Sequence, residues 1–164
     1  MKVETSPESL KALQALMDRS VNTAGPSASV SVAWPERQMS AGDLCDFWSQ
    51  TGVVGMTTVG PNGRPHSAPV HARLLGDRLR LVVYTDTVRR RDIRTNPHVS
   101  FTTWGPGGAA VILYGRAEEV KGSERAARTA QNGQERNVVE IEVDLYRVYA
   151  MAARPETNPP ARSD

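Results

Sequence analysis

A cluster of hydroxyl and guanidinium side chains lies where the sequence changes from a strand pattern to a helical one. Thr85 and Thr87 carry short oxygen-bearing side chains of the kind that cap helix N-termini. Arg89, Arg90 and Arg91 fall in the turn that follows. A helix N-terminus offers free backbone N–H groups and a partial positive charge, and both favour an anion. The residue types and their spacing therefore predict a phosphate-binding site.

A solvated helix face is the competing interpretation of this arginine run, and Asp86 would cap the helix itself and repel an anion. The charge distribution favours the anion site. The whole chain holds 20 basic and 18 acidic residues, a net charge of +2. Positions 79–98 hold five of the basic residues against two acidic ones, so the positive excess is local and not a general basic coat.

Two elements must position this site. Residues 79–84 alternate buried-type and outward-type positions and are rich in branched side chains, which is typical of a strand. The stretch 88–95 has a helical pattern and is stopped by Asn96 and Pro97. A strand that runs into a short helix is thus predicted around the arginine run.

The chain is predicted to fold as one barrel with an N-terminal arm. Residues 1–39 should form an arm. It consists of a helix at 1–20, which begins at Ser6 and Pro7, and an extended connector at 21–37 with a short strand at 29–33. Residues 40–152 should form the cofactor-binding barrel domain, and residues 153–164 a disordered tail rich in proline and charge.

The barrel domain is predicted to start with a helix and to continue mainly as strands. Ser40 and Asp43 have the spacing of a capping box, and Gly52 ends that helix. Gly115 within one strand indicates a bulge or a close backbone approach. A further helix is expected at 123–131. Six strands with hairpin-like spacing favour an antiparallel barrel: 53–59, 65–75, 79–84, 98–104, 109–120 and 138–152.

Composition excludes several classes of protein. The single Cys45 rules out an intramolecular disulfide, offers no metal-ligand spacing and fits a reducing cytoplasm. No apolar run reaches the length of about 18 residues that a membrane span needs. Nucleic-acid binding through the arginine run lacks the interleaved aromatic residues of a stacking surface, with only Tyr84 nearby. We therefore expect a cytoplasmic protein without a nucleic-acid or membrane partner.

Three segments together resemble the pyridoxamine 5′-phosphate oxidase-like superfamily. Residues 54–70, VGMTTVGPNGRPHSAPV, resemble its first hairpin, with a Gly-x-Pro turn and a central Pro-Val in the second strand. Residues 93–99, IRTNPHV, and residues 114–118, YGRAE, are similar to later parts of that superfamily in order and spacing. The resemblance covers residues 40–150.

The resemblance implies a mainly β fold with flanking helices, a six-stranded antiparallel split β-barrel of the FMN-binding type. It also implies a homodimer that holds FMN or the deazaflavin coenzyme F420, or less commonly haem, at the subunit interface. Thr87 and Arg89 fall where the family's Ser and Lys hold the cofactor phosphate. The positions implied to bind the cofactor are Pro69, Val70, His71, Arg73, Thr85, Thr87, Arg89, Arg90 and Arg91.

Two departures argue against pyridoxamine phosphate oxidation itself. Ala68 stands where the oxidase has an arginine, and Arg147 and Arg154 are too isolated to form its C-terminal substrate motif. The resemblance then implies an oxidoreductase that transfers hydride between the cofactor and another small organic substrate. No catalytic side chain and no metal site is predicted, because the three histidines have no triad spacing. A flavin- or haem-binding storage protein without turnover remains the alternative.

Overall fold

Eight antiparallel strands form a single curled sheet in the computed structural model, which describes residues 6–129 and 132–155. The strand order is β2-β1-β5-β6-β8-β4-β3, and β7 pairs with the N-terminal end of β8, on the side opposite β4. The strands are β1 Val54–Val59, β2 Pro65–Val70, β3 Ala72–Leu75, β4 Arg78–Tyr84, β5 His98–Trp104, β6 Ala110–Glu119, β7 Arg125–Arg128 and β8 Glu135–Met151.

The sheet curls because its two outer strands follow each other in the chain. β2 pairs with β1, and β3, which begins two residues after β2 ends, pairs with β4 on the far side of the sheet. His71 is the one residue between them. The chain therefore crosses from one half of the barrel to the other at this corner, and the mainly β class and the split-barrel fold predicted from the sequence are confirmed.

The 17-residue strand β8 lies in the middle of the sheet, between β6 and β4, and the core lies inside the barrel. Phe101, Leu113 and Ile141 are completely buried there. Gly115 is required by the close approach of β6 to β8, since a Cβ at this position would lie 2.4 Å from a methyl carbon of Val143. The register between the two strands shifts between Tyr114 and Gly115, so the predicted bulge is confirmed.

Four α-helices flank the sheet: α1 Pro7–Asn22, α2 Pro26–Val32, α3 Ala41–Gln50 and α4 Val88–Thr95. Ser6 caps α1 by accepting a hydrogen bond from the Ser9 N–H, and Ser40 and Asp43 form the predicted capping box of α3. On α1, the Ser20 hydroxyl accepts a hydrogen bond of 2.9 Å from the Val148 N–H. This buried contact ties the N-terminal arm to β8, so the arm packs on the barrel.

The helix predicted at 123–131 is wrong where the structure describes it, because Arg125–Arg128 form β7. The N-terminal end of β8 extends beyond its pairing with β4, and β7 provides the partner that its backbone needs, with Arg125 opposite Val138. Strand pairing has therefore overridden the local helical pattern. Residues 130 and 131 lie outside the described residues.

The extended connector predicted at 21–37 is also wrong. Its central part is α2, with Gly25 at the N-cap and Pro26 at the first helical position, and Pro35–Arg37 form a short 3-10 turn. Val32 is 4% exposed, so one apolar contact with the rest of the protein stabilises a helix of weak intrinsic propensity.

Two smaller differences concern the strand count and the tail. The barrel has eight strands and not the six predicted. The predicted run 65–75 divides into β2 and β3, and β7 forms where a helix was predicted. Most of the tail predicted to be disordered, residues 156–164, lies outside the described residues. Cys45 is half-buried and packs against the core. Within residues 6–129 and 132–155, no helix is long and apolar enough to cross a membrane.

Candidate functional site

The corner between β2 and β3 forms one wall of an open cleft. Trp48 on α3 supports this corner, since its indole N–H donates a hydrogen bond of 2.9 Å to the Ala72 carbonyl. Pro69, Val70 and His71 precede the supported residue and face the cleft. The backbone at the corner is thus held by a buried aromatic side chain of a neighbouring helix.

The cleft, which we call the arginine cleft, has a volume of about 590 Å³. That volume lies within the range of about 300–1,000 Å³ typical of small-molecule sites. Apolar side chains of β2 and β4 and charged side chains of five elements share its walls. The lining residues are Pro69, Val70, His71, Arg73, Arg80, Leu81, Val82, Val83, Tyr84, Arg89, Arg125, Ala127, Arg128, Val138 and Glu140.

Five arginines and one carboxylate line this cleft. Two of the arginines are neutralised by glutamates of β8: Arg80 lies 2.6 Å from Glu142, and Arg125 lies 3.3 Å from Glu140. The other three make no ion pair with any residue that the structure describes. These are Arg73 on β3, Arg89 on α4 and Arg128 on β7. The cleft therefore has an uncompensated positive charge, which favours an anionic ligand.

Arg89 shows the clearest sign of a missing partner. Its Nε is buried and has no hydrogen-bond partner among the described residues. A buried donor without a partner lowers stability by about 1–3 kcal/mol. In native proteins such an atom usually binds a water, an ion or a ligand. Arg73 lies directly opposite Arg80 in the β3–β4 pair but, unlike Arg80, has no acidic partner among the described residues. An anion in the cleft would give Arg89 and Arg73 a partner.

The structure divides the nine residues that the resemblance pointed to. Five of them line the cleft: Pro69, Val70, His71, Arg73 and Arg89. The other four do not line it: Thr85, Thr87, Arg90 and Arg91. A role of those four in cofactor binding stays a prediction.

The two threonines have local structural partners. Thr87 is the N-cap of α4, as the sequence predicts: its hydroxyl accepts a hydrogen bond from the Arg90 N–H and donates one of 2.9 Å to the Tyr84 carbonyl. The Thr85 N–H donates to the Asn137 carbonyl. Both residues therefore stabilise the strand-to-helix turn that carries Arg89.

Arg90 points away from the cleft and binds Glu119 of β6. Its guanidinium donates hydrogen bonds of 2.8 and 3.1 Å to the two Glu119 oxygens, and others to Glu124 and to the Thr85 carbonyl. Arg94 binds the same carboxylate at 2.7 Å. The hydrogen bonds from Arg90 and Arg94 lower the pKa of Glu119 to about 2. We call this group the Glu119 clamp, since it fastens α4 to β6.

A second group fastens α4 to the β1–β2 hairpin. The Asp92 side chain is completely buried; its Oδ2 accepts a hydrogen bond of 2.7 Å from the Thr58 hydroxyl and lies 2.6 Å from His66 Nδ1. Burial alone would raise the pKa of Asp92, but the hydrogen bonds from His66 and Thr58 outweigh it and hold that pKa below its usual value. We call this group the Asp92 clamp.

Sequence reasoning missed the part of the cleft that β7 and β8 contribute. Arg125, Arg128 and Glu140 belong to segments that are far from the arginine run in sequence, and β7 was expected to be a helix. Residues 125–128 read Arg-Ala-Ala-Arg and do not alternate polar and apolar side chains, so they carry no strand pattern. Only the pairing of β7 with β8 brings these side chains to the cleft.

The curled antiparallel sheet and its arginine cleft define a split β-barrel protein with a site suited to an anionic, partly apolar ligand. The chain belongs to the pyridoxamine 5′-phosphate oxidase family, whose sequence model matches residues 43–152. No curated protein sequence matches the chain.

Solved structures of the same fold are similar at low sequence identity. A conserved hypothetical protein of Mycobacterium tuberculosis has a TM-score of 0.60 and 17% identity, covering 79% of this chain and 98% of its own. The haem storage protein HutZ of Vibrio cholerae has a TM-score of 0.54 and 10% identity, covering 71% and 97%. HupZ of Group A Streptococcus has a TM-score of 0.53 and 19% identity, covering 70% and 97%. At these identities the likeness shows the fold alone.

Proposed function

We propose that the arginine cleft binds the phosphate of a flavin-type cofactor, FMN or coenzyme F420, and that the protein is an oxidoreductase. The observation that carries the proposal is the buried, unpartnered Nε of Arg89. Membership of the pyridoxamine 5′-phosphate oxidase family supports it. Such a cofactor supplies hydride transfer to or from a small organic substrate, while the protein binds and orients it. The composition, with one cysteine, is consistent with a cytoplasmic location.

The residues of the cleft fit a phosphorylated planar ring. Arg89 and Arg73 could donate charge-assisted hydrogen bonds to a phosphate, because neither guanidinium has an acidic partner in the described structure. Val82 is 48% exposed on the cleft wall although it is apolar, so a ring packed there would remove its side chain from water. The phosphate and the ring would thus be recognised by different residues.

A storage protein without turnover is the second candidate. His71, a side chain able to ligate haem iron, lines the cleft. The fold is also similar to that of HutZ, whose description is haem storage. Glu140, the one carboxylate among the described cleft residues, is already paired with Arg125, so the described cleft offers no unpaired carboxylate as a catalytic base.

Absorbance titrations of the purified protein with FMN, coenzyme F420 and haem separate these candidates. The oxidoreductase proposal expects a saturable spectral change with FMN or F420, and reduction of the bound cofactor that a small organic acceptor reverses. Haem binding with a Soret shift, and no shift with either flavin, would instead support storage.

The variant Arg89→Ala tests the phosphate contact. We expect FMN binding to weaken by about 1.5–3 kcal/mol, roughly 10- to 150-fold in dissociation constant, because a charge-assisted hydrogen bond is lost. Riboflavin has the same ring without the phosphate, so its binding should change less than about twofold. Quenching of flavin fluorescence measures both dissociation constants.

Arg91→Ala is the matched control for Arg89→Ala. The Arg91 side chain is 62% exposed and does not line the cleft, and its Nε lies 3.9 Å from Asp92, too far for a hydrogen bond. Its removal takes the same charge from the same helix, so the dissociation constants of FMN and riboflavin should both stay within about twofold of wild type. Equal losses of FMN and riboflavin in Arg89→Ala would mean that Arg89 acts on the ring or on the fold. No loss of FMN would refute the phosphate site.

We also propose that the protein is a homodimer, formed through the outer face of β5, β6 and β8. Trp104 is 76% exposed there, and Tyr114 and Tyr149 lie on the same face in an edge-to-face contact. Ile112 pairs with Tyr149 and faces outward between the buried residues Val111 and Leu113. A sheet face that carries such large apolar side chains favours burial against a second copy.

Sedimentation velocity at micromolar concentration tests this dimer. Wild type should sediment as a dimer, and Trp104→Glu should shift it to monomer because a charge would be buried in the interface. A wild-type monomer that binds its cofactor would contradict the proposal. Far-UV circular dichroism shows whether Trp104→Glu remains folded.

A further inference from the structure

The Asp92 clamp is a buried polar cluster outside the arginine cleft, and nothing in the proposed function uses it. It joins three elements, because Thr58 lies on β1, His66 on β2 and Asp92 on α4. The carboxylate is completely buried, whereas the His66 side chain is 38% exposed. Burying a carboxylate is costly unless its hydrogen bonds are well made, so the location of this cluster requires a reason.

We propose that the Asp92 clamp positions Arg89 for the anion in the cleft. The inference rests on the proposed function, since it takes the phosphate site at Arg89 as given. Asp92 is a positioning residue here, because it acts through the helix and does not line the cleft.

Helix geometry connects the clamp to the site. Arg89 and Asp92 are three residues apart, so they lie on neighbouring positions of one face of α4. Ile93, 4% exposed, is on the same face and packs into the core. α4 has eight residues and is about 12 Å long, and Arg89 and Asp92 lie within one turn of it. A shift of its buried face relative to the hairpin therefore displaces the Arg89 guanidinium as well.

The clamp is specific in its geometry. One oxygen of Asp92, Oδ2, receives both the Thr58 hydroxyl and His66 Nδ1, so both strands of the hairpin hold the same atom of α4. The other oxygen, Oδ1, is buried, accepts no hydrogen bond from the residues that the structure describes, and lies 3.9 Å from the Arg91 Nε. No other charged group within the described residues pairs with Asp92. Such an arrangement holds α4 at one position relative to the β1–β2 hairpin.

The Asp92 clamp should affect the affinity of the cleft for phosphate and not only the stability of the protein. A charge-assisted hydrogen bond depends steeply on distance and angle, so a small displacement of Arg89 weakens the contact with the phosphate. Contacts with the flavin ring come from other elements and would not move with α4. The clamp therefore governs the discrimination between a phosphorylated ligand and its dephosphorylated form.

The test measures the dissociation constants of FMN and riboflavin for variants of the two hairpin residues. Thr58→Val is nearly isosteric and removes only the hydroxyl donor. His66→Leu removes the imidazole, whereas His66→Asn keeps an N–H donor close to the position of Nδ1. Asp92→Ala is avoided as the main variant because it would leave a cavity and two unpartnered groups in the core.

We expect Thr58→Val and His66→Leu to weaken FMN binding about 3- to 10-fold, as part of one charge-assisted hydrogen bond is lost. Riboflavin should change less than about twofold, and His66→Asn should retain most of the FMN affinity. The matched control is Glu119→Gln, which loosens the other face of α4. It should lower stability without changing the ratio of the two dissociation constants.

Three results would overturn the inference. An unchanged ratio in folded Thr58→Val and His66→Leu would make the clamp a stability feature only. Equal losses for FMN and riboflavin would place its effect on the fold or the ring. An equal change of ratio in Glu119→Gln would mean that any loosening of α4 suffices. Arg89→Ala is measured in parallel: if it does not discriminate between the ligands, the phosphate site itself has failed, and not the clamp.

Discussion

Arg89 and Arg90 are neighbours in the sequence, yet they belong to two different regions of the molecule. Arg89 faces the arginine cleft, where its Nε is buried and has no hydrogen-bond partner in the part of the chain that the structure describes. Arg90 faces β6, where Glu119, Glu124 and the Thr85 carbonyl satisfy its guanidinium. Of these two adjacent arginines, Arg89 has a buried donor with no partner among the described residues, whereas Arg90 donates hydrogen bonds to three groups.

The difference shows that an arginine run on a short helix is not one site. Residues that follow each other on a helix are separated by about 100° around its axis, so neighbouring positions contact different elements. Glu119 on β6 receives Arg90 and Arg94, whereas no carboxylate among the described residues forms an ion pair with Arg89. The acidic residues of the surrounding strands therefore decide which arginine is free to bind a ligand.

Replacing the Glu119 carboxylate should change stability more than acid does, and it tests the contrast between Arg89 and Arg90. We expect Glu119→Gln to lower the free energy of unfolding at pH 7 by about 1–2 kcal/mol, less than a fully buried pair would give, because the Arg94 side chain is 58% exposed. Urea denaturation followed by circular dichroism measures the change. A loss of FMN affinity comparable to that of Arg89→Ala would break the comparison, since both arginines would then serve the ligand.

Acid should remove the stabilisation that the Glu119 carboxylate gives to wild type. At any one pH the effect should be smaller than that of Glu119→Gln. The pKa of Glu119 is lowered to about 2 in the folded protein, against an ordinary value of 4.5. Its stabilisation is therefore fully present above pH 4.5 and is lost as the pH falls towards 2. The gap in unfolding free energy between wild type and Glu119→Gln should close over that window. A gap that stays constant would mean that the carboxylate contributes through packing and not through its charge.

The sequence predicted well those features that depend on short stretches of chain. The caps at Ser6, Ser40 and Thr87 are confirmed, because a cap needs only a side-chain oxygen and the N–H groups two or three residues later. The bulge at Gly115 is confirmed as well, since a glycine inside a strand marks a close approach of two backbones. The split-barrel class followed from the spacing of the strands and from the resemblance.

Predictions failed where a distant segment decided the local structure. Arg125–Arg128 form a strand because the end of β8 needs a partner, and Pro26–Val32 form a helix because Val32 packs into the protein. Neither partner can be identified from the residues themselves. Local propensity differs between helix and strand by a few tenths of a kcal/mol per residue, which one buried contact outweighs.

The sequence alone determined that arginines and a helix N-cap occur together after a strand in a chain of the pyridoxamine 5′-phosphate oxidase type. Tertiary structure alone decided that Arg89 faces the cleft, that Glu119 binds Arg90, and that β7 contributes Arg125 and Arg128 to the opposite wall. The physical reason is that the partner of a charged side chain depends on which strands are adjacent. That adjacency is set by pairing between segments far apart in the chain.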